Sequence, residues 1–292
     1  MAAALGTLSK FGFDSVSPVA ARVEIASENL VMREEIIDGN GLKGSRSPTV
    51  DRTRQSLQRV SGPIECQPNG FEMDLWLKWI FGSPAANKYS LQDAAIKRFV
   101  TSDRVIKVCN YSGVGLDSVT FAFNQGQVVK LHADAVGMSE TIGAAGSWTA
   151  PSLNFATGPW VYSDNNSLTI NGTSVTAKGF EIAIHNHIDK DRFFNSITLS
   201  DIVMLDRNVS FRCTMPYGDF SALYGVGGGG VPVVAQVTNG VDVLTLTMPK
   251  VVFPRITPSA TGRVEEMLEV NGICYKDAST SDGELFATLT LS

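Results

Sequence analysis

Basic side chains are in the minority in this 292-residue sequence. Lysine and arginine number 24 against 29 aspartate and glutamate residues, so the formal net charge is -5. Tight affinity for nucleic acid comes from clustered Lys and Arg that release counterions from the phosphates. The charge balance therefore predicts that nucleic acid is not a tightly held ligand of this protein.

Cysteine pairs and long apolar runs are also missing. Cys66, Cys109, Cys213 and Cys274 lie far apart and form no C-x-x-C pair, which predicts buried free thiols in a reducing compartment rather than a zinc site or disulfides. No apolar run approaches the roughly 20 residues of a spanning helix, and residues 1–10 lack the pattern of an export signal. We therefore expect a protein that is neither exported by a signal peptide nor embedded in a membrane.

Short segments rich in Val, Ile, Thr and Phe alternate with Gly, Asn, Ser and Pro clusters along the chain. The predicted strands are 22–30, 58–67, 104–111, 118–123, 127–133, 167–170, 179–186, 208–214, 233–237, 241–253, 263–270 and 285–291. Gly126 and Asn239-Gly240 are typical of hairpin turns. The pattern predicts a mainly β, mostly antiparallel protein.

One helix is predicted at residues 71–81. Phe71, Leu75 and Trp79 lie four residues apart and form an apolar stripe, and Asn69 is suited to cap the helix N-terminus. Gly82-Ser83-Pro84 follows and is expected to end the helix. This stripe predicts a helix that packs on a sheet.

Two long connections interrupt the strand pattern. Residues 39–54, "GNGLKGSRSPTVDRTR", and residues 188–204 both follow predicted strands, and compact domains rarely keep such excursions without a use. We expect both to be loops that become ordered between subunits. The candidate contact residues in them are Leu42, Lys43, Arg46, Arg52, Arg54, Asp189, Arg192, Phe193 and Phe194.

The two halves of the chain repeat one order of features. "RVSGPIECQPNGFEMDLW" (59–76) and "RNVSFRCTMPYGDFSALY" (207–224) each contain Arg, Val-Ser, a strand with a Cys, Pro-x-Gly, then Leu and an aromatic residue. We expect two similar β domains in tandem, at residues 15–140 and 175–292. Residues 141–174 are rich in Gly, Ser and Thr and are expected to be a linker or an insertion.

These motifs resemble a known family. The loop at 39–54, "RVSGPIECQP", the helix ending in "IFGSP", the strand pair "DSVTFAFNQGQVVKLHADAVG" and the later "GFEIAIHNHI" occur in an order similar to that of the major tail tube proteins of long-tailed bacteriophages. The resemblance covers most of the chain apart from the middle segment.

The resemblance implies a virion structural protein with no catalytic activity and no cofactor. Tube proteins have β-sandwich or barrel domains whose sheets join edge to edge around a ring, and the rings stack into a conduit for DNA ejection. Two domains per chain would give a trimer with pseudo-sixfold symmetry, and one domain would give a hexamer. The implied partners are further copies of the chain, the tape measure protein, the tail terminator and distal tail or baseplate proteins. DNA would pass through the lumen without specific binding, and we expect the lumen surface to be net negative.

Two other functions remain open from the residues. His185 and His187 would lie on one face of a strand through Asp189, about 7 Å apart, where they are weak candidates for the metal site of a hydrolase. Trp148 and Trp160 flank a loop that would suit the ligand platform of a carbohydrate-binding, adhesin-like β-sandwich.

Overall fold

The computed structural model describes residues 8–38, 53–153, 158–162, 166–216, 229–254, 267–279 and 283–291. In these residues the chain forms nineteen β-strands and one α-helix, so the predicted mainly β class is confirmed. The elements of residues 10–144 are β1 (Lys10–Asp14), β2 (Ser27–Glu28), β3 (Val31–Asp38), β4 (Thr53–Cys66), α1 (Gly70–Ile80), β5 (Lys88–Ser90), β6 (Arg98–Asp103), β7 (Lys107–Asn124), β8 (Gln127–Val128), β9 (Lys130–Gly137) and β10 (Ser139–Ala144). The elements that follow are β11 (Val161–Tyr162), β12 (Ser167–Ile170), β13 (Thr173–Val175), β14 (Gly179–His185), β15 (Asn208–Pro216), β16 (Val231–Asn239), β17 (Asp242–Val252), β18 (Met267–Tyr275) and β19 (Phe286–Thr290).

The long strand β7 belongs to two sheets. Its first half, 107–114, lies between β6 and β10, and β1 extends that sheet beyond β6. Its second half, 115–124, lies between β9 and β14, and the sheet continues from β9 to β4 and then to β2 and β3. A register shift between Leu116 and Ser118 accompanies the change of partners. One strand therefore holds the two sheets of the first half of the chain together.

A similar arrangement surrounds β17 in the second half. The first part of β17 lies between β16 and β19, and β12 and then β13 extend that sheet beyond β16. The last residues of β17 pair with β18, which leads to β15 and then to β14. All of these strand pairs are antiparallel, as the alternation of apolar and polar residues predicted.

Within the described residues, strands from the two halves pair with each other at three places, one of them the short pair β8–β11. β7 pairs with β14 over seven residues, from Asn124 opposite Gly179 to Ser118 opposite His185. β5, which follows the helix, pairs with the outer edge of β19. Hydrogen-bonded sheet therefore continues from one half of the chain into the other.

Helix α1 lies within one residue of its predicted position at both ends. The Asn69 side chain accepts a hydrogen bond from the Glu72 backbone N–H, and the Glu72 carboxylate accepts one from the Asn69 N–H, which is a capping box. Trp76 and Trp79 stack 5.5 Å apart and both pack on Phe13 of β1. Trp79 of the predicted stripe and the neighbouring Trp76 therefore join the core, whereas Phe71 of the stripe is 41% exposed.

All four cysteines are free and buried, as their spacing predicted. Burial raises the pKa of the Cys213 and Cys274 thiols to about 12 and also raises the pKa of the Cys66 and Cys109 thiols. Such thiols remain protonated at neutral pH and react slowly with electrophiles.

Several predicted boundaries differ from the structure for identifiable reasons. The strand predicted at 22–30 is wrong over most of its length, because Val23 makes a single bridge to Phe11 and only β2 is extended. From Lys107 onward, the segments predicted at 104–111 and 118–123 belong to the one strand β7, which continues between them with a register shift between Leu116 and Ser118. β10 and β12 lie in the stretch predicted as a linker or insertion.

No helix in the described parts of the chain combines the length and the hydropathy needed to cross a bilayer.

Candidate assembly interface

A two-stranded ribbon, β3 with the first residues of β4, extends beyond the edge of its sheet. β9 ends with Gly137 opposite Val60, so β4 before Val60 has no partner from β9. On its other side β4 pairs with β3, and within the described residues β3 has no strand on its outer edge. Ribbons of two strands are marginally stable alone, and open edges favour pairing with another chain.

Both faces of this ribbon expose apolar side chains. Ile36 and Ile37 are 70% and 57% exposed, and Arg33, Glu34 and Glu35 before them are exposed as well. Adjacent isoleucines on a strand point to opposite faces, so no single partner surface within the chain could bury both. The ribbon is therefore a candidate contact surface for another subunit.

The predicted loop 39–54 includes the residues between β3 and β4 in the sequence and the first two residues of β4. Residues 39–52 are outside the described residues, and with them the candidates Leu42, Lys43, Arg46 and Arg52. Arg54 lies on β4 opposite Ile37 and is exposed. The described part of the prediction thus falls on the same ribbon as Ile36 and Ile37, which were not among the predicted contact residues. Their signal was the pair of adjacent isoleucines between two acidic residues.

The second predicted loop, 188–204, is packed onto its own chain by a small apolar cluster. Ile188, Leu199 and Ile202 are buried with Val136 of β9, and Phe193 packs against them. The segment ends are joined by a bridge between Ile188 and Met204. This segment therefore acquires its structure in the single chain, through buried side chains rather than through regular strands.

The same segment is fastened to the base of the ribbon. The Gln58 N–H of β4 donates to the Ile197 carbonyl at 2.6 Å, and the Leu199 N–H donates to the Gln58 carbonyl at 3.2 Å. The Arg59 guanidinium donates to the Lys190 carbonyl and contacts the Asp191 carboxylate at 3.3 Å. The ribbon and the segment thus form one continuous surface made from both halves of the chain.

The four candidates in this segment have different environments. Asp189 donates its backbone N–H to the Val203 carbonyl, and the Arg192 carbonyl accepts bonds from Ser200. Phe194 is 67% exposed, with the Arg192 guanidinium 5.0 Å from its ring. Of the four, Phe194 is the side chain most available to a neighbouring subunit.

A polar face covers the sheet that runs from β4 through β9, β7, β14 and β15 to β18. Alternate residues of these strands point to this side, and one row across it is Glu65, His132, Thr120, Ala183, Ser210 and Ile273. The charged side chains of the face are Glu65, Asp134, Glu181, Glu269, Lys130 and Arg212. The histidines His132 and His185 apart, four carboxylates thus stand against two cations.

The two candidate metal-binding histidines do not lie on one strand. β14 ends at His185, and His187 has a positive φ of 41°, so the predicted strand through Asp189 is wrong. Their ring centroids are 6.3 Å apart, and His187 Nδ1 lies 2.9 Å from Asp206 Oδ1. In the described part of the chain no group of three or more His, Cys, Asp or Glu residues is arranged to hold a metal ion.

Neither tryptophan of the predicted ligand platform is exposed. Trp160 is fully buried in the main core, and Trp148 is buried against Val19 and donates its indole N–H to the Val19 carbonyl at 3.0 Å. A glycan-binding platform presents aromatic faces to solvent, so these two residues do not form one.

A family model described as phage tail tube protein matches residues 5–270 of the chain. No curated protein matches it. The match covers most of the sequence, and the mainly antiparallel fold agrees with it. The chain therefore belongs to the phage tail tube protein family and is a structural component of the virion that assembles into the tail tube with other tail proteins.

Proposed function

We propose that the chain carries two tube-type units in tandem, β1–β10 and β12–β19, and that three chains form a ring of six units. The order of strand pairing supports this proposal. In the first unit one sheet reads β1, β6, β7, β10 and the other β3, β4, β9, β7. In the second unit the sheets read β12, β16, β17, β19 and β14, β15, β18, β17. The matched strands also follow one another in the same order along the chain.

The correspondence extends to single residues around the hairpins β6–β7 and β16–β17. In the first turn the Ile106 N–H donates to the Arg104 carbonyl, and in the second the Val241 N–H donates to the Asn239 carbonyl. Counted from these turns, Tyr111 corresponds to Leu246, and both are buried. The two units therefore share a register as well as an order of strands.

One observation carries the ring proposal. β14 is paired on both sides, with β15 of its own unit and with β7 of the other unit, whereas its counterpart β3 is paired only with β4 in the described structure. The second unit of another copy would pair with the open edge of β3, as β7 of the first unit pairs with β14. Repetition of this contact closes a ring and removes the open edges.

The polar face is proposed to line the lumen of this ring. It lies on the sheet that the β7–β14 pairing makes continuous between units, and its carboxylates outnumber its cations. Like charges would keep passing DNA from adhering to the wall. The tape measure protein inside the tube, and the tail terminator and distal tail or baseplate proteins at its ends, are the proposed partners. On this proposal the protein acts by assembly and not by catalysis.

Negative-stain electron microscopy and native mass spectrometry of the purified chain test the proposal. We expect rings or stacked tubes about 100 Å wide, the rough span of six units each a few tens of Å across. The ring should have three times the 31.3 kDa mass of one chain. Rings of six chains would reject the two-unit organisation, and chains that never form rings or tubes would reject assembly through these surfaces.

A further inference from the structure

Strand β10 carries an isoleucine that points to the core side of its sheet and is nevertheless exposed. Ile142 lies opposite Cys109 of β7, and Cys109 is buried in the main core. Residues that face each other across an antiparallel pair point to the same side of the sheet. Ile142 is 55% exposed, so the apolar side of this sheet is left uncovered at its edge.

The corresponding strand of the second unit is covered. Leu289 of β19 lies opposite Leu244 of β17, the position that matches Cys109 when counted from the hairpin turn. Leu289 is only 4% exposed, and Ala287 two residues before it is fully buried. The same position in the same sheet is thus closed in one unit and open in the other.

The difference between the two strands is β5. This strand belongs to the first unit and adds to the outer edge of β19, with Tyr89 opposite Ala287 and the Leu289 N–H donating to the Asn87 carbonyl at 3.3 Å. Tyr89 is buried, and its hydroxyl donates to the Asp74 carboxylate of α1 at 2.5 Å. One unit therefore closes the sheet edge of the other with a strand anchored to its own helix.

The outer edge of β10 has no such strand within the described parts of the chain, since β10 pairs only with β7. The edge offers backbone amides and carbonyls for a further strand, and Ile142 adds an apolar side chain beside them. Backbone pairing with an alternating apolar side chain is the chemistry of strand addition. Lysine and proline, which block edge pairing, are absent from 139–144, and Glu140 is the one charged residue of the strand.

We propose that a second copy of this chain adds a strand to the outer edge of β10 and buries Ile142. This inference rests on the proposed two-unit organisation. In a ring of alternating units, the first unit of one copy contacts the second unit of the next copy. That second unit would lie beside β10 in the same way that the first unit lies beside β19 within one chain. β3 and β10 then meet the same neighbour, because their counterparts β14 and β19 both pair with the first unit.

Cysteine accessibility tests this proposal on the full chain. The variant Ile142→Cys reports on the edge, and Ile106→Cys, three positions before Cys109 in the β6–β7 turn, is the matched control. Ile106 is 67% exposed, and its counterpart Val241 stays 60% exposed with β5 in place, so Ile106 should remain open in the assembly. The four natural cysteines are buried and give a low background.

Both introduced cysteines should react with a maleimide at similar rates in the single chain. In rings or tubes made from the purified variant, Ile142→Cys should react at least about tenfold more slowly, while Ile106→Cys should change by less than about twofold, because protection follows burial in the assembly. Since no other protein is present, protection of Ile142→Cys would come from another copy.

Equal reactivity of the two variants in well-formed tubes would overturn the inference and leave the proposed function intact. Protection of Ile142→Cys already in the single chain would also overturn it, because the chain itself would then cover the edge. If the unaltered chain forms no tubes, the proposed function and this inference fail together. Should Ile142→Cys fold poorly, Ile142→Lys with Ile106→Lys as control provides the second test: only Ile142→Lys should raise the concentration needed for assembly, by about tenfold or more.

Discussion

The ribbon β3–β4 and the segment 188–204 touch each other and are built on opposite principles. The ribbon is regular strand, yet from Arg33 to Ile37 every side chain is exposed. The segment has almost no regular structure, yet Ile188, Leu199 and Ile202 are buried in it. Secondary structure and burial are therefore separate properties, and the lack of burial is what identifies a surface awaiting a partner.

Removing a buried side chain from the segment should have the largest effect on the single chain. Ile202→Ala deletes a fully packed side chain and leaves a cavity between Ile188 and Val136, so we expect a loss of about 2–5 kcal/mol in the free energy of unfolding. Urea unfolding at a concentration below assembly measures it. Ile36→Ala on the ribbon is the control, and an equal loss there would contradict the comparison.

Adding a methyl group beneath the segment 188–204 should have the next largest effect on the free energy of unfolding. A Cβ at Gly115 would lie 2.8 Å from Ile202 Cγ2 and 3.3 Å from Ile188 Cδ1, so Gly115→Ala should destabilise the chain by about 1–3 kcal/mol. Thermal unfolding followed by circular dichroism measures this change. Gly158→Ala meets no atom within 4 Å and serves as the matched substitution. A neutral Gly115→Ala would mean that the segment rests only loosely on the sheet.

Breaking the ion pair between ribbon and segment should change stability by less than about 1 kcal/mol, because the Asp191 carboxylate is exposed and water screens it. Arg59→Ala, Asp191→Ala and the double variant form a mutant cycle, read out by urea unfolding. We expect a coupling energy below about 0.5 kcal/mol, since exposed pairs seldom give more. A larger coupling would show that charge, rather than the apolar cluster, holds the two regions together.

The smallest change in stability should come from the ribbon itself. Replacing Ile36 and Ile37 by serine removes exposed side chains, and the free energy of unfolding of the single chain should change by less than about 0.5 kcal/mol. The same double variant should fail to form rings or tubes in negative-stain images. Val241→Ser, which also removes an exposed side chain, should assemble normally. Normal tubes from the double variant would remove the ribbon from the interface.

Much of this fold follows from local pattern. The alternation of apolar residues predicts β12, β15 and β17 with few errors, and the stripe of the helix with Asn69 at its start predicts α1 within one residue at both ends. These elements bury one face against the core, so the sequence carries their period directly.

Other parts depend on distant neighbours and could not be predicted. β10 is a strand because β7 pairs with it, although its Gly, Ser and Thr residues are typical of a linker. The strand through His185 ends there because His187 adopts a left-handed conformation, which no local signal marked. The exposure of Ile36 and Ile142 likewise depends on what lies beside them in three dimensions. The contact surfaces were therefore the least predictable part of the molecule.

The seven-residue pairing of β7 with β14 lowers the number of contacts that separate chains must form to make a ring. Because two units of the proposed ring are joined by one chain, half of the six contacts form within a molecule, at a local concentration that no free subunit reaches. Three contacts between molecules rather than six then complete the ring, and every ring contains an even number of units. The covalent link also fixes the register of alternate contacts, so a slipped ring would have to break a pairing that each chain has already made.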